Sequence, residues 1–114
     1  SHTMLFEKIA DHIIALDGLR AFSPQELSNI LWAYANAEEK HSTLFKKVAD
    51  HIIAFDNLGN FLPQALSNIL CAYARADESH PMLFKKVSDH IITLDNLMAF
   101  KTQALSNIVW AYAT

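Results

Sequence analysis

From Met4 to Asp17 the apolar residues are Leu5, Phe6, Ile9, Ala10, Ile13 and Leu16. Intervals of three and four gather them on one broad side of a helix, while Glu7, Lys8, Asp11 and Ala15 face away. Gly18 follows, with Asn57 and Asn96 in equivalent places later, and these residue types accept the left-handed conformation that ends many helices. Leu19 and Phe22 pin the short connection to the core. A second helix opens at Ser23, where serine caps free amides, Pro24 fits the first helical position and Glu26 completes a capping box. Its core face is Leu27, Ile30, Leu31 and Tyr34, and a polar turn near Glu38 to Ser42 reverses the chain. Strict alternation is nowhere sustained, so the pattern predicts helices and no sheet.

The same pattern returns twice at an interval of 39 residues. Leu5-Phe6 becomes Leu44-Phe45 and Leu83-Phe84; Asp11-His12 becomes Asp50-His51 and Asp89-His90; the block at 27–31 returns at 66–70 and 105–109. Of the first 36 columns, 19 hold one residue in all three repeats, so the register is unbroken. Such a period predicts an all-α chain, an α-solenoid of three 39-residue helical hairpins at 1–39, 40–78 and 79–114, the last incomplete at its C-terminus. Function is then expected on a repeated surface rather than in a deep cleft, which argues against an enzyme.

Composition agrees with this expectation. Hydrophobic residues make up 52% of 114, with only 2 Gly and 3 Pro, which suits continuous helices and short connections. Cys71 is the one cysteine, which excludes an internal disulfide, and its column holds Trp32 and Trp110, marking it as a small packed residue. No apolar stretch reaches membrane-spanning length and no basic-then-apolar leader is visible, which predicts an intracellular module without a membrane partner. The chain reads as a piece of a longer array. An end repeat without a polar cap bares its joining face, which predicts end-to-end self-association.

The outer side of the second helix carries the candidate site. Gln25, Asn29, Trp32 and Asn36 are spaced four, three and four and form one line. Repeat two supplies Gln64, Asn68, Cys71 and Arg75; repeat three supplies Gln103, Asn107, Trp110 and Thr114. Ser28, Ser67 and Ser106 flank the line. Amides pair with base edges and aromatic faces stack on unpaired bases, while the column of Asn36, Arg75 and Thr114 varies as a base-selecting position would. A structural reading stands beside this one. Repeated amides can satisfy buried polar groups between repeats, and the tryptophans can simply pack.

The formal net charge of -3 disfavours nucleic acid, although most acids lie in first helices and turns. Lys8, Lys46, Lys47, Lys85 and Lys86 are a candidate phosphate set, or else partners of Asp50 and Asp89 along the same helix. His12, His51 and His90 read as packed residues bonded to a neighbouring repeat, and His2, His41 and His80 as helix caps. No nucleophile constellation, phosphate loop or carboxylate pair is visible, and no metal or cofactor is expected.

The segment SPQELSNILWAYANA, with LPQALSNILCAYARA and KTQALSNIVWAYAT after it, resembles the octotricopeptide repeat class, helical hairpins related to those preceding RAP domains. The matching residues are Pro24, Gln25, Leu27, Ser28, Asn29, Trp32, Ala33 and Tyr34 and their later equivalents; Cys71 and Thr102 depart from the pattern. The resemblance implies sequence-specific single-stranded RNA binding in the maturation, stability or translation of mitochondrial or chloroplast transcripts. The alternative from the residues themselves is a protein-interaction scaffold holding a peptide or helix along the same face.

Overall fold

The computed structural model describes residues 2–114; Ser1, the first position of repeat one, lies outside the described residues. Among the described residues the chain is all-α, with six helices and no strand. They are α1 (Thr3–Ala15), α2 (Pro24–Asn36), α3 (Ser42–Ile53), α4 (Pro63–Arg75), α5 (Pro81–Thr93) and α6 (Thr102–Ala113). The even helices lie side by side, α2 against α4 and α4 against α6; α3 likewise lies between α1 and α5. The body is elongated, 44 × 27 × 21 Å.

The start of α2 follows its letters. Glu26 N–H donates to Ser23 Oγ at 3.1 Å and Ser23 N–H donates to Glu26 Oε1 at 2.9 Å, so two amides without helical partners are satisfied reciprocally. The starts of α4 and α6, at Leu62 and Lys101, have no side-chain cap.

Helix ends differ from expectation. No glycine has a positive φ, and Gly18, Asn57 and Asn96 are not left-handed. The first helix of each repeat stops before that column, and the asparagines serve the connection instead. Asn57 Oδ1 accepts from Gly59 N–H at 2.9 Å and Asn96 Oδ1 accepts from Met98 N–H at 3.0 Å. The left-handed residues are Glu38, with φ 57°, and Asp77, with φ 55°. Each follows a second helix. Glu38 N–H donates to the Ala35 carbonyl and Glu39 N–H to that of Tyr34, the paired bonds of a Schellman ending, and Asp77 and Glu78 repeat them on Ala74 and Tyr73.

A tyrosine ties the two helices of each repeat together. Tyr34 Oη donates to the Phe6 carbonyl at 2.6 Å, Tyr73 to Phe45 at 2.5 Å and Tyr112 to Phe84 at 2.6 Å. In each case the tyrosine ring also meets that phenylalanine edge to face, at 4.8–5.1 Å between centroids. Burial raises the pKa of all three phenols, that of Tyr112 to about 12.

Position in the chain decides which apolar columns are covered. Leu5 is 54% exposed and Ile9 44%, whereas their equivalents Leu44, Val48, Leu83 and Val87 are buried against the preceding repeat. At the other end Val109 is 69% exposed, while Leu31 and Leu70 in its column are fully buried. Ser28 and Ser67 are also fully buried, with hydroxyls that have no hydrogen-bond partner, and Ser106 is exposed. Where another even helix follows, a small side chain in this column permits close approach of the two.

Candidate nucleic-acid interface

The even helices bring the outer columns of all three repeats to one groove of about 610 Å³. Trp32 of α2 forms one wall, Gln64, Asn68, Cys71 and Arg75 of α4 the floor, and Gln103, Asn107 and Trp110 of α6 the other wall. Gln25, Asn29, Asn36 and Thr114 belong to the same columns and lie outside this groove. Gln25, Asn29, Asn36 and Thr114 are exposed all the same, so the line continues past the groove at both ends.

The amides are organised within each helix. Gln25 Nε2 donates to Asn29 Oδ1 at 3.3 Å and Gln64 Nε2 to Asn68 Oδ1 at 3.3 Å, the four-residue spacing placing each pair on one face. The second amide hydrogen of each glutamine and the asparagine NH2 remain as donors for a ligand. The bonds run along the helix, so the expected structural alternative of amides bridging repeats does not describe these two pairs.

Arg75 crosses the joint. Its guanidinium lies 5.3 Å from the centroid of the Trp32 ring, a cation–π arrangement. The column that varies in repeat two thus sits over the tryptophan column of repeat one. Cys71 behaves as the small packed residue its column suggested: it is buried, and its Sγ lies 3.5 Å from the Asn107 carbonyl. Burial pushes the thiol pKa up, with Arg75 opposing. Trp110 is 46% exposed and lines the groove. The Trp110 carbonyl accepts from Thr114 Oγ1 at 2.8 Å, so this end column is partly occupied by its own helix.

The lysines divide by column. Lys46 and Lys85 pair with Asp50 and Asp89 at 2.8 Å, as the helical spacing allowed. Lys47 and Lys86 do neither of the expected things. Lys47 Nζ donates to the carbonyls of Ile13 at 3.1 Å, Ile14 at 2.7 Å and Leu16, at the C-terminus of α1. Lys86 does the same to Ile53 at 2.8 Å and Phe55, at the end of α3. An ammonium group there satisfies carbonyls that the helix cannot and meets the negative end of its dipole. These two lysines are therefore committed to the fold. Their identity at column 8 in all three repeats, beside a column reading Glu7, Lys46 and Lys85, was the available signal.

The histidines also depart from expectation. His51 packs edge to face on Phe55 of its own repeat at 5.1 Å and bonds no neighbouring repeat; burial lowers its pKa. His2, His41 and His80 occupy N-cap positions but make no side-chain cap bond. Instead His41 lies 3.7 Å from Glu39 and packs on Tyr34, while His80 lies 3.5 Å from Glu78 and packs on Tyr73. Among the described residues no three His, Cys, Asp or Glu side chains are grouped to hold a metal ion. No helix among them is long and apolar enough to cross a membrane.

Comparison with known protein families, characterised proteins and solved structures finds no match to this chain. The fold and groove define an all-α protein with a row of amides and aromatics along its even helices.

Proposed function

We propose that the chain is an α-solenoid of three hairpin repeats that binds single-stranded RNA along its even helices. The observation that carries this reading is the shared groove. Trp32, Arg75 and Trp110 are brought together with Gln64, Asn68, Gln103 and Asn107 over three repeats. Aromatic faces stack on unpaired bases of any identity, and amide and guanidinium groups read base edges. In this reading the tryptophans hold bases. Arg75, poised over Trp32, selects one of them; Asn36 and Thr114 occupy the same column in their repeats. The likeness to octotricopeptide repeats extends the proposal to transcripts of an organelle.

Selection from a randomised single-stranded RNA pool at about 150 mM salt, repeated with Arg75→Asn, tests it. A short enriched motif in which one letter changes with the substitution is the expected result. No enrichment by a folded chain refutes base reading.

One observation favours a protein-interaction scaffold as the second reading: Arg75 is the sole cation among the groove's lining residues. Salt separates the two. Each neutralised phosphate of a single strand adds about -0.7 to the log–log slope of affinity against salt. A slope near zero with tight binding of an apolar peptide would favour the scaffold.

A further inference from the structure

Arg75 sits in the groove without being used by the fold. It is the last residue of α4, where a basic side chain could cap carbonyls as Lys47 and Lys86 do at the ends of α1 and α3. The carbonyls of Ala72, Tyr73 and Ala74 are already taken, by the N–H groups of Ala76, Glu78 and Asp77. Glu38, Glu39 and Glu78 share a smaller cavity with Arg75, yet none forms an ion pair with it, Glu39 and Glu78 facing His41 and His80 instead. Among the described residues the guanidinium makes no hydrogen bond and no ion pair, and the Trp32 ring is what holds it. Its five N–H donors stay open, in a rigid planar fork with no acceptor.

A fork that only donates selects its partner by chemistry. Phosphate fits it, but Glu26 and Arg75 are the only charged side chains on α2, α4 and α6, so these helices offer no cationic row to a phosphate chain. Among base edges, guanine O6 and N7 are adjacent acceptors and match the fork bidentately. Adenine sets its N6 amino group beside N7 and turns a donor toward the guanidinium. Uracil has O4 as its lone acceptor on the corresponding edge, and cytosine has an amino group there. Guanine finds a second match in this groove. Its N1–H and N2 amino group donate, and the side-chain oxygens of Gln64, Asn68, Gln103 and Asn107, which line the groove with Arg75, accept. Resting on single-stranded RNA as the ligand of this groove, we infer that Arg75 reads guanine through its O6 and N7 edge.

Fluorescence anisotropy tests this on the 114-residue chain with RNA pools about nine nucleotides long. Each pool has guanine, adenine or uracil fixed at the centre and flanks randomised over C and U. The guanine pool is expected to bind about ten-fold tighter than the other two. Central 7-deazaguanine, which lacks the N7 acceptor, should lose most of that advantage on the unaltered chain. Arg75→Gln, at an exposed position and with helix content unchanged by circular dichroism, replaces the fork by one donor and one acceptor. That pattern pairs with adenine N6 and N7, so the adenine pool should become the tightest. Binding of no pool by a folded chain removes RNA as the ligand, and guanine reading with it. Equal binding of all three pools overturns guanine reading and leaves RNA as the ligand. So does a guanine advantage that survives 7-deazaguanine or Arg75→Gln. If Arg75→Gln weakens all pools in equal proportion and makes the salt slope shallower by about 0.7, Arg75 holds a phosphate and guanine reading is likewise overturned.

Discussion

Replacing Lys47 by methionine is the sharpest test of how the repeats are fastened. Methionine keeps most of the aliphatic stem and removes the ammonium group. That group donates to three carbonyls at the end of α1. The Ile13 carbonyl also accepts from Leu16 N–H at 3.2 Å, so the loss falls mainly on Ile14 and Leu16. A hydrogen bond involving a charged group contributes about 1.5–3 kcal/mol, and a cation at a partly buried helix C-terminus up to about 2 kcal/mol. The two figures describe overlapping physics, and water replaces some of what is lost. A net loss of about 2–3 kcal/mol is therefore expected. Lys86→Met, which removes bonds to two carbonyls, should cost about 2 kcal/mol.

The neighbouring lysines serve as controls in the same helices. Lys46 makes an exposed pair with Asp50 at four-residue spacing, and Lys46→Met should cost no more than about 0.5 kcal/mol. Lys8 shares the column of Lys47 but has no such carbonyls within reach in its own chain, and Lys8→Met should also fall within about 0.5 kcal/mol. Urea unfolding at a concentration below any self-association measures all four as midpoint shifts at constant slope. A Lys47→Met loss no larger than that of Lys46→Met would refute the capping argument. A Lys8→Met loss as large as that of Lys47→Met would refute its dependence on the preceding repeat.

Further expectations rest on single contacts. Tyr73→Phe removes the bond to the Phe45 carbonyl and should cost about 1 kcal/mol, since that carbonyl keeps its helical partner. Because burial raises the phenol pKa values, the unfolded chain loses tyrosine protons from about pH 10 while the folded chain keeps them; stability is full below that and falls as pH rises. The decline, followed by urea midpoints at alkaline pH, should be shallower in Tyr73→Phe. Ser67→Ala deletes a buried hydroxyl without a partner and should stabilise by about 0.5–1 kcal/mol, whereas Ser106→Ala should change little in thermal unfolding. Glu38→Gly relieves a left-handed residue that has a Cβ, and should raise stability by up to about 1 kcal/mol by the same assay.

What could be read in the letters was whatever a helix writes along itself. Three-and-four spacing placed all six helices, Ser23 and Glu26 wrote out a capping box, and the four-residue interval from Lys46 to Asp50 foretold an ion pair. Partners that carry no letter were hidden. Lys47 binds backbone carbonyls more than thirty residues earlier, and no residue type marks such an acceptor. Periodicity also cannot separate apolar columns that close a repeat on itself from those that close it on its neighbour. Leu5 and Phe6 look alike in sequence, yet Leu5 is open while Phe6 packs under Tyr34. Glycine propensity at position 18 misled because the left-handed bend belongs to the other helix end, where paired backbone bonds impose it on Glu38. The candidate groove was legible as a line of residues. That Arg75 would lie over the tryptophan of the previous repeat required the packing of α2 on α4.

The row of even helices also sets a pitch. Packed helices stand about 8–10 Å apart, so anything read once per helix must advance by that step. Stacked bases rise only about 3.4 Å, and an extended peptide about 3.3–3.6 Å per residue. A peptide with one contact per helix would have to alternate awkwardly between two and three residues. An RNA strand meeting the step must part its bases, which would make a fluorescent purine at the bound position brighten as its stacking neighbours leave.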